Sequence, residues 1–209
     1  MCTNGGGVNP VRAAVLIGNL PQTNDNASTF LSTPAPAIKA LAFTLPAGNN
    51  YSLDNVILRL RDYETGGNPL VQIRNDVGGS DPGSTVLASF TNPTPQGLGT
   101  FNYTFTPTGP LTFTAGTKYW LYVTTTFGAF SWLGSNPGIT PTGIATLSGV
   151  RLSSNGGSSF NNSTTFNSFQ INATEITGPV ASTPEPGAIA ALSLFGLGLL
   201  GVKGRRNEG

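Results

Sequence analysis

Histidine is absent from this chain of 209 residues, and cysteine occurs once, as Cys2. The first absence excludes a Ser-His-Asp triad, a Cys-His dyad and His-ligated zinc or iron. The second excludes an internal disulfide and thiolate metal sites. Charge is scarce as well: 9% of residues are Asp, Glu, Lys or Arg, against roughly 25% in an average soluble domain. Up to Thr183, Arg12, Lys39, Arg59, Arg61, Arg74, Lys118 and Arg151 are balanced by Asp25, Asp54, Asp62, Glu64, Asp76, Asp81 and Glu175. Scattered single charges of both signs leave no electrostatic footprint for DNA or RNA, so nucleic acid is not an expected partner. No motif calls for a cofactor, and none is expected.

What the chain does have is glycine (28), proline (16) and enough apolar surface to fold, with 38% hydrophobic residues including 12 Phe, 5 Tyr and 2 Trp. That content argues against whole-chain disorder. Before residue 187 no sustained period of 3.6 occurs, whereas period-two alternation recurs. Leu41, Phe43 and Leu45 alternate with Ala42 and Thr44, and Val56, Leu58 and Leu60 with Arg59 and Arg61. Val71/Ile73, Phe101/Tyr103/Phe105 and Tyr119/Leu121/Val123 repeat the pattern, and weaker runs lie at 13–20, 85–90, 130–133, 143–152 and 166–171. Turn signals at Gly66-Gly67, Asp81 to Gly83, Asn136 to Gly138 and Asn155 to Gly157 separate them. Eight to ten short strands so spaced predict an all-β, antiparallel β-sandwich of jelly-roll-like form over residues 13–176. Residues 1–12 are expected to be a disordered extension.

After Ile176 the composition changes. Residues 177–186 read as a linker ending in Pro184, Glu185 and Pro186, through which a helix cannot run. Gly187 to Val202 carries no charge, and Lys203, Arg205 and Arg206 follow within the basic tail, residues 203–209. As a helix, residues 187–202 would rise about 24 Å, short of the ~30 Å hydrocarbon core. Snorkelling of Lys203 and local thinning cover the difference. A buried core helix also fits the length, but it would show a polar stripe. The expected structure is one C-terminal hydrophobic helix crossing the membrane, with the basic end cytoplasmic and the β-domain outside.

Proline-glutamate-proline, then a short apolar helix, then an arginine-rich end: this order resembles the PEP-CTERM sorting signal of bacterial exported proteins. The resemblance rests on Pro184, Glu185, Pro186, Ala188 to Val202, Arg205 and Arg206. It implies recognition and cleavage near the triplet by an exosortase-type processing protease. The body would then be released or attached at the cell surface, often in bacteria that make exopolysaccharide, and extracellular polysaccharide is the expected contact there. Residues 1–7 lack a basic n-region, and Ala13 to Ile17 is too short for an h-region. Cys2 has no preceding apolar segment that would make it a lipidation site. The expectation is a start codon placed too far downstream, with a leader upstream of Met1; a truncated gene copy is the alternative. The body itself is similar to choice-of-anchor surface domains, through Asn19-Leu20, Gln22-Thr23, Asp54 to Leu58, Asp81 to Gly83 and Leu111 to Leu121.

Candidate chemistry in the body is sparse. Asp62 and Glu64 are the closest acids and would serve a carbohydrate-active hydrolase using a carboxylate pair. Their bland reading is a solvated turn before Gly66-Gly67. Asn75, Asp76, Ser80 and Asp81 offer oxygen ligands to a hard cation in one loop, but the spacing fits no EF-hand, a plain turn is the favoured reading and no metal is expected. Trp120, Tyr122 and Trp132 are candidate glycan contacts if their rings face solvent, and core residues if both faces of the strands are covered. The sequons at Asn26, Asn102, Asn161, Asn162 and Asn172 read as incidental to an Asn/Thr-rich surface. The chain thus reads as a non-catalytic surface or matrix protein in contact with the membrane.

Overall fold

The structure, a computed structural model, describes residues 13–33 and 36–176. The expected extension (1–12), linker (177–186), membrane helix (187–202) and basic tail (203–209) lie outside the described residues.

The described body contains no helix. Its strands are β1 (Ala13–Gly18), β2 (Ala27–Ser32), β3 (Ile38–Thr44), β4 (Asn50–Tyr63), β5 (Asn68–Asp76), β6 (Pro82–Thr91) and β7 (Gly97–Pro107). β8 (Thr112–Phe113), β9 (Lys118–Phe127), β10 (Ala129–Gly134), β11 (Thr146–Ser153), β12 (Asn161–Asn162) and β13 (Phe169–Ile176) complete it. Every pairing among them is antiparallel. The order is β1-β13-β4-β7-β6-β5-β9-β3-β11-β12, with β10 pairing β2 and β4 and β8 pairing β4.

β4 organises one group of strands. At 14 residues it is long enough to bond β13 and then β10 along one edge, and β8 and β7 along the other. A second group runs β6-β5-β9-β3-β11-β12. The two groups meet where Phe90 and Thr91 of β6 pair with Pro107 and Thr106 of β7. Val56, Leu58, Leu60, Phe105, Phe169 and Ile171 from the first share a core with Leu41, Phe43, Val71, Ile73, Leu121 and Val123 from the second. Each such side chain contributes roughly 1.5–3 kcal/mol when fully buried. Phe113 bridges them edge-on, with ring centroids 5.6 Å from Phe43 and 5.0 Å from Tyr119.

β3 is buried on both faces. Ile38, Ala40 and Ala42 point away from the main core and form a second cluster with Trp120 and Tyr122 of β9, against which Phe160 packs. The small alanines leave room for the two large rings beside them. A close approach fixes the β9–β10 turn: Gly128 has φ +69°, and a Cβ there would lie 1.9 Å from the Gly66 carbonyl oxygen. Only glycine fits that position.

Candidate functional site

The rings proposed for glycan contact are inside the protein. Trp120 and Trp132 have 0% exposure and Tyr122 has 6%. Trp132 belongs to the main core and donates its indole N–H to the Ser168 carbonyl at 2.9 Å. Trp120 and Tyr122 do lie on the opposite face of β9, as their alternation requires, but that face is covered. The Arg74 guanidinium sits 3.4 Å from the Tyr122 ring centroid, the Lys118 ammonium lies 4.8 Å from that of Trp120, and Phe160 closes the cluster. Of the two readings of Trp120, Tyr122 and Trp132, core residues or glycan contacts, burial favours the core, and at Trp120 and Tyr122 cations lie over the π-faces that a sugar would need.

The loop from Asn75 to Asp81 is likewise furnished from within. Asp76 accepts the Trp120 indole N–H and the Lys118 ammonium, each at 2.8 Å, and the Gly78 N–H at 2.9 Å. Burial pushes the Asp76 carboxyl up, but these bonds together outweigh it and hold the group below the usual carboxylate range. Asn75 Oδ1 accepts the Thr85 N–H, while Arg151 Nε donates to the Ser80 carbonyl at 2.7 Å and to Asp81 at 3.1 Å. Oxygens suggested for a cation thus meet lysine and arginine instead. Among the described residues no three of His, Cys, Asp and Glu cluster as metal ligands.

Asp62 lies at the end of β4 and Glu64 just beyond it, at the turn closed by the Gly67 N–H to Glu64 carbonyl bond (2.9 Å). Asp62 has φ +57°, accepts the Gly99 N–H at 3.2 Å, and stands 3.7 Å from Arg61. Both acids are exposed. This is a solvated turn rather than an apolar cleft.

The sequence reading passed over Lys39. It stands on β3 in period with Leu41 and Phe43, so its side chain enters the core face, and its exposure is 0%. Its neighbours across the sheet are Val123 on β9 and Leu152 on β11. The ammonium donates to the Ser163 hydroxyl, and burial lowers its pKa to about 8. Ser163 is half-buried, anchored by its N–H to the Val150 carbonyl (3.1 Å). With Val150, Arg151, Asn162 and Phe166 it lines an open groove of about 460 Å³. Extending the Leu41–Phe43–Leu45 alternation back by one step would have flagged Lys39.

In the described body the candidate rings are buried and the candidate acids Asp62 and Glu64 are exposed at a turn, and the tail supplies the decisive observation. Residues 182–207 match the PEP-CTERM protein-sorting motif. The chain is an exported protein with a C-terminal sorting signal, and the motif implies processing by an exosortase at the membrane, toward the cell surface. Pro184, Glu185, Pro186, Lys203, Arg205 and Arg206 all fall inside the PEP-CTERM match, although they lie outside the described residues. No curated protein matches the chain.

Proposed function

We propose that this protein is a non-catalytic component of the cell surface or extracellular matrix, delivered through its PEP-CTERM tail. The tail match carries the reading. In it, residues 187–202 lodge in the membrane as a helix, the basic residues hold the C-terminus inside, and the exosortase cuts near Pro184-Glu185-Pro186. The two strand groups around the shared core are the faces of a jelly-roll-like sandwich, built in the manner of choice-of-anchor domains. Contact with exopolysaccharide belongs to the reading through the hydroxyl and amide surface, since neutral groups hydrogen-bond neutral sugars and so few charges compete. Trp120, Tyr122 and Trp132 have no part in it.

The test is expression in a bacterium with and without its exosortase, following the size and fraction of the chain. The expected outcome is an enzyme-dependent shortening by the tail, with the body in the surface or medium fraction. Replacement of Pro184, Glu185 and Pro186 by alanine should leave the chain full-length in the membrane. Equal processing with and without the exosortase would refute the assignment.

A further inference from the structure

A lysine on a core face has to be accounted for. Burying an ammonium without a carboxylate is costly, and proteins meet that cost by pairing the group or by keeping it neutral. Among the described residues Lys39 has no acidic partner: its hydrogen bond goes to the Ser163 hydroxyl, and burial depresses its pKa. The elements around it present Val123 from β9, Leu152 from β11 and Ser163 from the segment after β12. The nearest charge along the groove is Arg151, which is engaged by Ser80 and Asp81. The consequence is a neutral amine, available just above neutral pH, in contact with a hydroxyl that lines an open groove.

A hydroxyl becomes a nucleophile when an adjacent base takes its proton, and a neutral lysine is one of the bases that serve. We propose that Ser163 and Lys39 form a serine–lysine pair through which the protein takes up one acyl group from an activated ester. The Ser163 Oγ attacks the ester carbonyl, and its proton passes to Lys39 Nζ. The Oγ–acyl bond forms, the bond from acyl carbon to the leaving oxygen breaks, and the proton moves from Nζ to that oxygen. Serine ester and free alcohol or phenol are the products, so no redox partner or metal enters the balance. Val150 and Phe166 give the groove an apolar lining suited to the acyl chain, with Asn162 and Ser148 as polar rim. The step transfers one acyl group per chain. It goes beyond the surface role proposed above and does not depend on the tail.

The experiment treats the full chain with a fluorophosphonate, and separately with p-nitrophenyl butyrate, between pH 7 and 10. The serine adduct is read by intact mass and peptide mapping. The expected result is a single adduct on Ser163, forming faster as pH rises and levelling off above about 8, where Lys39 has lost its proton. Ser163→Ala should abolish it. Lys39→Met should slow it about a hundredfold, the usual contribution of a general base, while thermal melting shows the variant folded. Failure of the folded wild-type protein to label at Ser163 at pH 9 overturns the proposal. So does equal labelling in Lys39→Met, or labelling of exposed serines at the same rate. Should Lys39→Met fail to fold, the wild-type pH profile decides: a rate that climbs with hydroxide through pH 10 without levelling rejects the lysine base.

Discussion

Replacing Lys39 by methionine should stabilise this protein, and the gain should shrink as pH rises. Lys39 titrates near 10.5 in the unfolded chain and at about 8 in the fold. Between those values the unfolded state binds more protons, so stability rises with pH through that window. Below pH 8 the full penalty applies: at about 1.36 kcal/mol per pKa unit, the difference costs the fold about 3 kcal/mol at pH 7. Methionine fills a similar volume with an apolar stem. Loss of the Ser163 hydrogen bond takes back about 1 kcal/mol, which leaves the variant about 2 kcal/mol more stable at pH 7. That corresponds to a rise in Tm of about 4–8 °C for a domain of this size. At pH 9.5 the wild-type penalty has fallen to about 1.4 kcal/mol, so the gap should narrow by about 2 kcal/mol. Above pH 10 the tyrosines act in the opposite direction. Burial holds Tyr51, Tyr63 and Tyr122 above their ordinary values, so ionisation favours the unfolded chain there. Comparing variant with wild type at each pH removes that common contribution. Urea unfolding followed by fluorescence of the buried Trp120 and Trp132 is the assay, from pH 6.5 to 9.5. A variant less stable at pH 7, or a gap that does not change with pH, would refute the reasoning.

Three further outcomes follow from the geometry. Gly128→Ala should cost at least about 2 kcal/mol, because the new Cβ meets the Gly66 carbonyl at 1.9 Å and the φ of +69° is strained for alanine; an unchanged urea midpoint would contradict the close approach. Asp76→Ala should cost about 1–3 kcal/mol at neutral pH by stranding the Trp120 indole and the Lys118 ammonium, and should shift the Trp120 emission, whereas Asp62→Ala should change stability by less than about 0.5 kcal/mol. Asp25 accepts Arg59 Nε and Nη2, each at 2.7 Å, and the hydrogen bond to Arg59 outweighs burial to keep its carboxyl low, as the bonds to Asp76 do for that residue. Both acids have folded pKa values below the unfolded ones, so stability present above pH 4 should be lost as pH falls through the folded values; an acid-unfolding curve unchanged in Asp25→Asn with Asp76→Asn would count against this.

The long strands were legible because each buries one face. Val56, Leu58 and Leu60 are fully buried while Arg61 is exposed, as their alternation requires. β2 escaped because its alternation is inverted: Thr29 and Leu31 turn inward while Phe30, the largest residue, is 61% exposed. β8 and β12 span two residues each and carry no period at all. The tail was legible for a different reason, since a sorting signal is read as a linear order of residues and needs no fold to bring its parts together.

Alternation left two readings open for the aromatic candidates in the body, for one physical reason. Alternation assigns a side chain to a face of a strand but does not say what covers that face. Tyr122 and Trp120 were placed on the second face of β9 correctly. Their covering comes from Arg74 on β5, Lys118 two residues before Trp120, and Phe160 beyond β11. Two of those three are cations, which a sequence pattern marks as solvent-facing. Here their charges are engaged instead: Lys118 by Asp76, and Arg74 by the Gln72 side-chain oxygen at 2.9 Å. Among the described residues of this charge-poor chain, Arg59, Arg61, Arg74, Lys118 and Arg151 each stand against a ring or a carboxylate. Lys39 is the exception that shows the rule, because it was buried with no acid or ring among those residues to meet it. Its pairing with Ser163 is then a contact at which the fold spends stability on a buried ammonium.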